Sequence, residues 1–482
     1  MTRTFAVCAV LAVAGLVGAG CSTDAPPDAG ATVASAAGAA TTLVAVTGPV
    51  SQTGYEYPEA PDVPSGPLDP ATAADLDTLF GSLLTGVDTA AMLRIGESED
   101  PRVAWLLSDV LRFVGGGQVD EVARTAFRTL TGVDISADPL SERSTWQSVT
   151  NHLFAWDLPA PPGYVDWKRI PFEIVETQWM RFFDDDAADI DWRYVSWGGV
   201  GIDDRELGDP NPCPVGCIPA LDDPAVVSAE AGGAWYPDDG IVFGVVVEGE
   251  ARAYPKNIME VHEMVNDTLG GRRIAVPYCT LCGSAQGYFT DDVAGRDEPL
   301  VMRTSGLLSR SNKVMYELTT FSVFDTFLGR AVSGPLGDAG VELEQLAVVT
   351  SLWSEWKAEH PGTTIVAADG GIGRTYDDDP LAGRDDAGPI FPIGEVDPRL
   401  DPQTQVLGVE APDGTPLAFP VDQARAALDS GAVVELDGVH IVPDGSGIRA
   451  VTSGGEELPG HQAFWFAWSQ FHAATEIWSP GG

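Results

Sequence analysis

Two cysteines three residues apart, Cys279 and Cys282, stand in the stretch Tyr278-Cys279-Thr280-Leu281-Cys282-Gly283. Apolar residues lead in (Ile274, Ala275, Val276) and out (Tyr288, Phe289). A glycine straight after the second thiol lets the backbone turn with positive φ and aim amides at sulfur. Three chemistries share this geometry. Both thiolates can face one metal ion. The pair can close and reopen a disulfide, each thiol shifting the pKa of the other. It can also be a plain structural bridge in an exported protein. Spacing alone does not choose among them. Tyr278 and Gly283 flank the sulfurs as supporting groups.

Upstream, Lys256 to Val265 reads as a short helix, with Ile258, His262 and Val265 on one face. His262 is then one short connection from the thiols. There it can be a third metal ligand or can lower a thiol pKa, and the plainer alternative is a histidine hydrogen-bonded to backbone. Thiolate and imidazole ligands point to zinc first and copper next. Cys279 with His262, oriented by Asp267 or Glu263, would also suit acyl transfer, given an oxyanion hole. A second pair, in Cys213-Pro214-Val215-Gly216-Cys217, forms a local disulfide or meets Cys279 and Cys282 in space.

The elements that must carry these residues are legible in part. Thr23 to about Pro70 is rich in Ala, Gly, Pro, Thr and Asp and reads as a disordered tether (22–70). From 71 to 195 apolar residues recur at helical spacing, as in Leu76, Leu79, Phe80 and Leu83, or Trp105, Leu106, Val110 and Phe113. His152 in this region reads as a packed or surface histidine, and Asp184 to Asp191 as a solvated acidic loop. Beyond Trp197 the pattern turns to strands. Ile241–Val247 is a buried, β-branched run, the turn Glu248-Gly249-Glu250 follows, and Ala251–Tyr254 returns as its partner.

Some 71 acidic residues oppose 27 basic ones, a formal net charge of −44, which argues against nucleic acid as a partner. Arg3 followed by the apolar run Phe5–Val17 has the form of an export signal, and the run is too short to span a bilayer. Gly18-Ala19-Gly20-Cys21 resembles the lipid-attachment site of bacterial lipoproteins, so residues 1–21 read as a lipoprotein signal with Cys21 lipidated. The expected location is extracytoplasmic, anchored to the membrane by lipid.

Two motifs recur. Trp353-x-x-Trp356-x-x-x-His360-x-x-Thr363-x-Ile365 matches Trp465-x-x-Trp468-x-x-x-His472-x-x-Thr475-x-Ile477. The hairpin ending in Tyr254-Pro255 is matched by one ending in Phe419-Pro420. This implies two related β-rich halves, about 218–370 and 390–482, within a β-rich region 196–482. His360 and His472, present in both copies, read as structural.

Taken together, Ile218-Pro219-Ala220-Leu221-Asp222-Asp223-Pro224, Ala251-Arg252-Ala253-Tyr254-Pro255, His262-Glu263-Met264-Val265-Asn266-Asp267 and the Tyr-Cys-x-Leu-Cys-Gly core resemble domain-of-unknown-function family 3179 of exported bacterial and archaeal proteins. Ser311-Asn312, Met315-Tyr316, Gly334-Pro335-Leu336, Trp356 with His360-Pro361, and Val406-Leu407-Gly408-Val409 continue the likeness. Thr280, Pro277 and Phe324 depart from its pattern. The resemblance supports the choice of site and implies no reaction.

The sequence therefore leads to an α+β fold, with an N-terminal helical region followed by two related β-rich halves. The functional expectation is a tethered extracytoplasmic protein whose site at Cys279, Cys282 and His262, supported by Tyr278, Gly283 and Asp267, binds zinc or copper or works as a redox dithiol. The rival is a non-enzymatic, disulfide-stapled module that binds glycan or protein.

Overall fold

Asp, Ser and Pro residues start the helices of the N-terminal region. Asp69 accepts from the amides of Ala71 and Thr72 ahead of the helix Pro70–Gly81, Asp88 does the same for Thr89–Gly96, and Ser144 caps Thr145–Trp156 through the Gln147 amide. The helices Ala104–Val114, Gln118–Thr131 and Tyr164–Val175 complete the group. Their apolar faces meet around Trp105, Leu107, Val110, Phe127, Leu153, Phe172 and Trp179. His152 is buried there, with Nδ1 2.7 Å from the Ser148 carbonyl and Nε2 3.2 Å from the Tyr55 hydroxyl. The same core takes in Leu307, Val314, Tyr316 and Val323, so the helices are packed directly on a sheet.

This computed structural model describes residues 49–213, 216–232, 235–383 and 388–481. The export signal, Cys21 and most of the tether lie outside the described residues. Among the described residues no helix is long and apolar enough to cross a membrane.

The rest of the chain forms five small sheets set out like the blades of a propeller. The first runs Val195–Trp197, Met302–Ser309, Asn312–Glu317, Val323–Asp325, Arg330–Ala331. The second runs Gln345–Leu346, Gly287–Phe289, Arg272–Cys279, Met264–Leu269, Leu221–Asp222. The third is built on the hairpin Ile241–Val247 and Glu250–Pro255, flanked by Val349–Leu352 and by Thr364–Val366 with Val226–Ser228. The fourth runs Gly460–Phe464, Gln405–Glu410, Pro416–Pro420, Glu476–Ile477. The fifth is the antiparallel run Val434–Leu436, Val439–Asp444, Gly447–Thr452, Glu457–Leu458.

This corrects the expected α+β fold with two related β-rich halves. Segment 218–370 does not close on itself. Its strands serve three sheets, one of which is completed by Val195–Trp197 paired with Leu307–Ser309. The repeated motifs have a narrower meaning. In the third sheet Gly244 lies against the Trp356 ring, and the Trp356 indole donates to Thr363 Oγ1 at 3.0 Å. In the fourth, Gly408 lies against Trp468, whose indole donates to Thr475 Oγ1 at 2.9 Å. In each sheet a glycine strand admits a tryptophan from the following short helix. The likeness stops at these two sheets, because the second and first sheets that intervene have no counterpart on the same plan.

Candidate functional site

The strand Arg272–Cys279 ends at the first thiol, and a single 3-10 turn, Thr280–Cys282, carries the second. Gly283 follows with φ +58°, as its place after Cys282 requires. A Cβ there would strike Gln405 and Phe464, so the glycine also lets the fourth sheet close over the turn. Cys279 and Cys282 are both free thiols, 3 % and 0 % exposed. One side of them is apolar, with Phe327, Val406, Ala463 and Trp465 in the same cluster. The other side is polar. The Cys282 sulfur lies 3.3 Å from the Ser311 carbonyl and 3.9 Å from the Ser311 hydroxyl.

The two thiols are electrostatically unequal. Burial raises the Cys279 pKa, but the Cys282 thiol and the backbone amides of Lys313 and Cys282 outweigh it, and Cys279 ends below its ordinary value. Burial pushes the Cys282 thiol up, and its hydrogen bond to Cys279 pushes the same way. Of the two sulfurs, Cys279 is therefore the one that gives up its proton more readily.

A buried ion pair stands next to it. The helix Lys256–His262 is shorter than the sequence suggests because Glu263 takes φ +51° and ends it, and Met264–Leu269 continues as a strand. A glutamate in this left-handed conformation is strained. Its carboxylate accepts from Thr280 Oγ1 at 3.1 Å and lies 3.7 Å from the Lys313 ammonium. Its carbonyl accepts from the Tyr278 amide at 2.9 Å and from Lys313 Nζ. Burial raises the Glu263 pKa and lowers that of Lys313, each shift opposed by the partner's charge.

The turn in the backbone at Glu263 separates it from its neighbour. His262 is 1 % exposed, with Nδ1 2.6 Å from the Pro219 carbonyl and Nε2 2.7 Å from the Tyr376 hydroxyl. Nδ1 donates to the carbonyl, so Nε2 accepts from Tyr376. Burial, with help from Arg374 and Arg205, lowers its pKa to about 4. The neutral imidazole thus has both nitrogens engaged, and neither thiol is among its partners. It lines a different cavity, shared with Cys213, Cys217, Arg205 and Arg374.

The other expected residues are placed as follows. Tyr278 is buried, with its ring 4.7 Å from that of Phe243. Asp267 accepts from Arg252 at 2.7 Å and from the Tyr254 hydroxyl at 2.9 Å, a buried ion pair between the second and third sheets, and it is not directed at His262. Cys213 and Cys217 are joined in a disulfide with Cα atoms 5.6 Å apart. Asp203, Cys213 and Cys217 bring three possible metal-ligand atoms within 4.8 Å of one another. That carboxylate already accepts from Arg205 at 2.6 and 2.9 Å and from the Ala220 amide at 2.7 Å. Among the described residues Cys279, Cys282 and His262 are not gathered in this way.

Lys313 was not singled out by the sequence. It sits in the strand Asn312–Glu317, 31 residues beyond Cys282, where all six residues are buried, and a lysine carries no local mark of that burial. Asp222 gave a clearer signal through its motif. It accepts from both terminal nitrogens of fully buried Arg303 at 2.8 Å, locking the second sheet to the first.

Residues 215–452 match the family described as Protein of unknown function (DUF3179), and through that segment the chain belongs to the family. The match takes in both thiols, Glu263, Lys313 and the Asp222–Arg303 pair, and leaves the helical region outside it. No curated protein and no solved structure matches the chain.

Proposed function

We propose that Cys279 and Cys282 are a redox dithiol, carried by a lipid-anchored protein on the extracytoplasmic side of the membrane. The observation that carries this reading is a pair of free, buried thiols adjoining in a single turn, where the Cys282 thiol and then backbone amides favour ionisation at Cys279 and burial opposes it at Cys282. The anchor rests on the sequence around Cys21.

The co-reactant is a disulfide on a protein or small-molecule partner. The Cys279 thiolate attacks one of its sulfurs, the partner's S–S bond breaks, and a mixed disulfide forms as the first partner thiolate leaves. Cys282 then gives up its proton and attacks the Cys279 sulfur. The Cys279–Cys282 disulfide closes and the second partner thiolate departs. The dithiol loses two electrons, the partner disulfide gains them, and two protons follow to the partner's sulfurs. Leu281 in the turn is half-buried and Gly283 packs against Gln405 and Phe464, so the partner reaches Cys279 by displacing the turn from the fourth sheet. Binding of zinc or copper by the same pair is less well supported, because His262 has no free nitrogen to offer.

The test is covalent capture. In Cys282→Ser the mixed disulfide at Cys279 cannot resolve, and incubation with oxidised glutathione should leave a stable adduct on Cys279. Cys279→Ser should leave far less on Cys282. Equal labelling of both variants, or of neither, overturns the proposal.

A further inference from the structure

The first sheet, the segment 189–195 and the helix Trp465–Phe471 enclose a cavity of about 360 Å3. Most of its lining residues are apolar, Trp192, Leu307, Val314 and Phe471 among them, and five are charged. Three of the five charges are matched by neighbours. Asp191 accepts from Arg193 at 2.6 Å, and Asp189 lies 3.5 Å from Arg330. Arg310 and Asp325 are left. Arg310 stands in the two-residue turn between Met302–Ser309 and Asn312–Glu317, with φ +54°. Its guanidinium lies over the Tyr194 ring at 3.9 Å, and that ring is fixed by its hydroxyl, which donates to Asp157 at 2.6 Å. Among the described residues no carboxylate comes within ion-pair distance of Arg310, although Asp325 and Glu395 both feel its charge. Asp325 ends the strand Val323–Asp325. One of its oxygens accepts from the amides of Phe327 and Leu328 at 2.9 and 3.1 Å, and the other has no partner among the described residues. Burial raises its pKa, and the two amides with Arg330 and Arg310 oppose that rise.

We propose that this cavity binds a free α-amino acid with an apolar or aromatic side chain, its carboxylate on Arg310, its ammonium on Asp325 and its side chain among Trp192, Leu307 and Phe471. An apolar lining with a few polar groups is the common make-up of a small-molecule site. The two unmatched charges then choose the ligand. A simple cation would face Arg310 and a simple anion would face Asp325, at short range and with little water between. A zwitterion with both charges on one carbon answers both groups at once. Inside a peptide the same two groups are amides, so the cavity selects the free acid. Stacking on a fixed ring holds the guanidinium in place before the ligand arrives, and little freedom is lost when it binds. An adjoining cleft shares Arg310, Tyr194 and Gln470 with the cavity and has exposed Pro398 and Ala473 on its rim, which gives the way in. No part of this reading draws on the thiols.

The site is tested by isothermal titration of the full-length, untagged mature protein with L-phenylalanine and with L-leucine. One equivalent of at least one of them should bind. N-acetyl-L-phenylalanine, which lacks the ammonium, L-phenylalanine amide, which lacks the carboxylate, and glycine, which lacks the apolar body, should each bind about tenfold more weakly or worse. Asp325→Asn keeps an oxygen for the two amides, and in Arg310→Asn the asparagine tolerates the positive φ of the turn. Each should weaken binding by about tenfold or more. Should either variant fail to fold, the analogues titrated into the parent protein still decide the matter. Binding of neither amino acid, equal affinity for the acetylated or amidated analogue, or unchanged affinity in either folded variant overturns the proposal. Glutathione capture at Cys279 should be the same in both variants, so the outcome does not bear on the dithiol reading.

Discussion

The Lys313 ammonium lies 3.7 Å from the Glu263 carboxylate, and both side chains are shut away from water beside Cys279. Charges buried in this way interact strongly with a neighbouring thiolate, and with opposite signs. Glu263 raises the Cys279 pKa, while Lys313 and the Cys279 thiolate favour one another. Glu263→Gln should therefore move the pH midpoint of Cys279 alkylation down, and Lys313→Met should move it up. Each variant also leaves its partner unpaired, at a cost of about 3 kcal/mol in urea unfolding. Shifts of the same sign in both variants would contradict this arrangement.

His262 gives the acid limb of stability a specific origin. Its pKa falls from 6.5 in the unfolded chain to about 4 in the fold, chiefly through burial. A depressed pKa means that the stability is present above pH 6.5 and is lost as pH drops toward 4. By pH 4.5 the loss attributable to this ring is about 2–3 kcal/mol, at about 1.4 kcal/mol per unit. His262→Gln should show a smaller drop between pH 7 and pH 4.5 than the parent protein, read by urea unfolding at the two pH values. An equal drop would remove His262 as the cause.

Gly244 and Gly408 are where the third and fourth sheets admit Trp356 and Trp468. A methyl group at either position runs into a fully packed indole. Gly244→Ala and Gly408→Ala should each destabilise by about 1–3 kcal/mol, the usual result of overpacking. Gly249→Ala, in the third sheet's hairpin turn with open space around it, tests backbone strain without a clash. Thermal unfolding of the three variants separates the two effects.

The Cys213–Cys217 bridge closes a very short loop, so its removal should cost only about 2 kcal/mol on the chain-entropy estimate. Cys213→Ser should melt earlier and yet leave glutathione capture at Cys279 unchanged. Lost capture in that variant would mean that the two sulfur pairs work as one centre.

What could be read in advance follows the range of the interactions involved. The helices of 71–195 announce themselves by apolar spacing, which is local, and the hairpin Ile241–Pro255 by its β-branched run and Gly249 turn. The thiol turn was equally local. The five sheets were not, because partners such as Val195 and Ser309 are far apart in the chain and short strands carry little pattern of their own. The motif Trp-x-x-Trp-x-x-x-His marked two like sheets and not two halves. The helix beginning at Lys256 seemed by its spacing to extend to Val265, and that register put His262 toward the sulfurs. One left-handed residue, Glu263, reversed the order of approach, bringing its own carboxylate to the thiol turn and sending the imidazole toward Pro219 and Tyr376. No helical or strand period anticipates such a residue. The burial of Lys313 depends wholly on tertiary packing.

An equilibrium redox titration of Cys279 and Cys282, read by differential thiol labelling and mass spectrometry of the purified protein, bears most directly on the central claim. The account expects a reversible two-electron transition in which both thiols are protected together, at a potential above the roughly −300 mV below which structural disulfides lie. Thiols that stay fully labelled under every oxidising buffer, or a bridge that resists reduction to that limit, would contradict it.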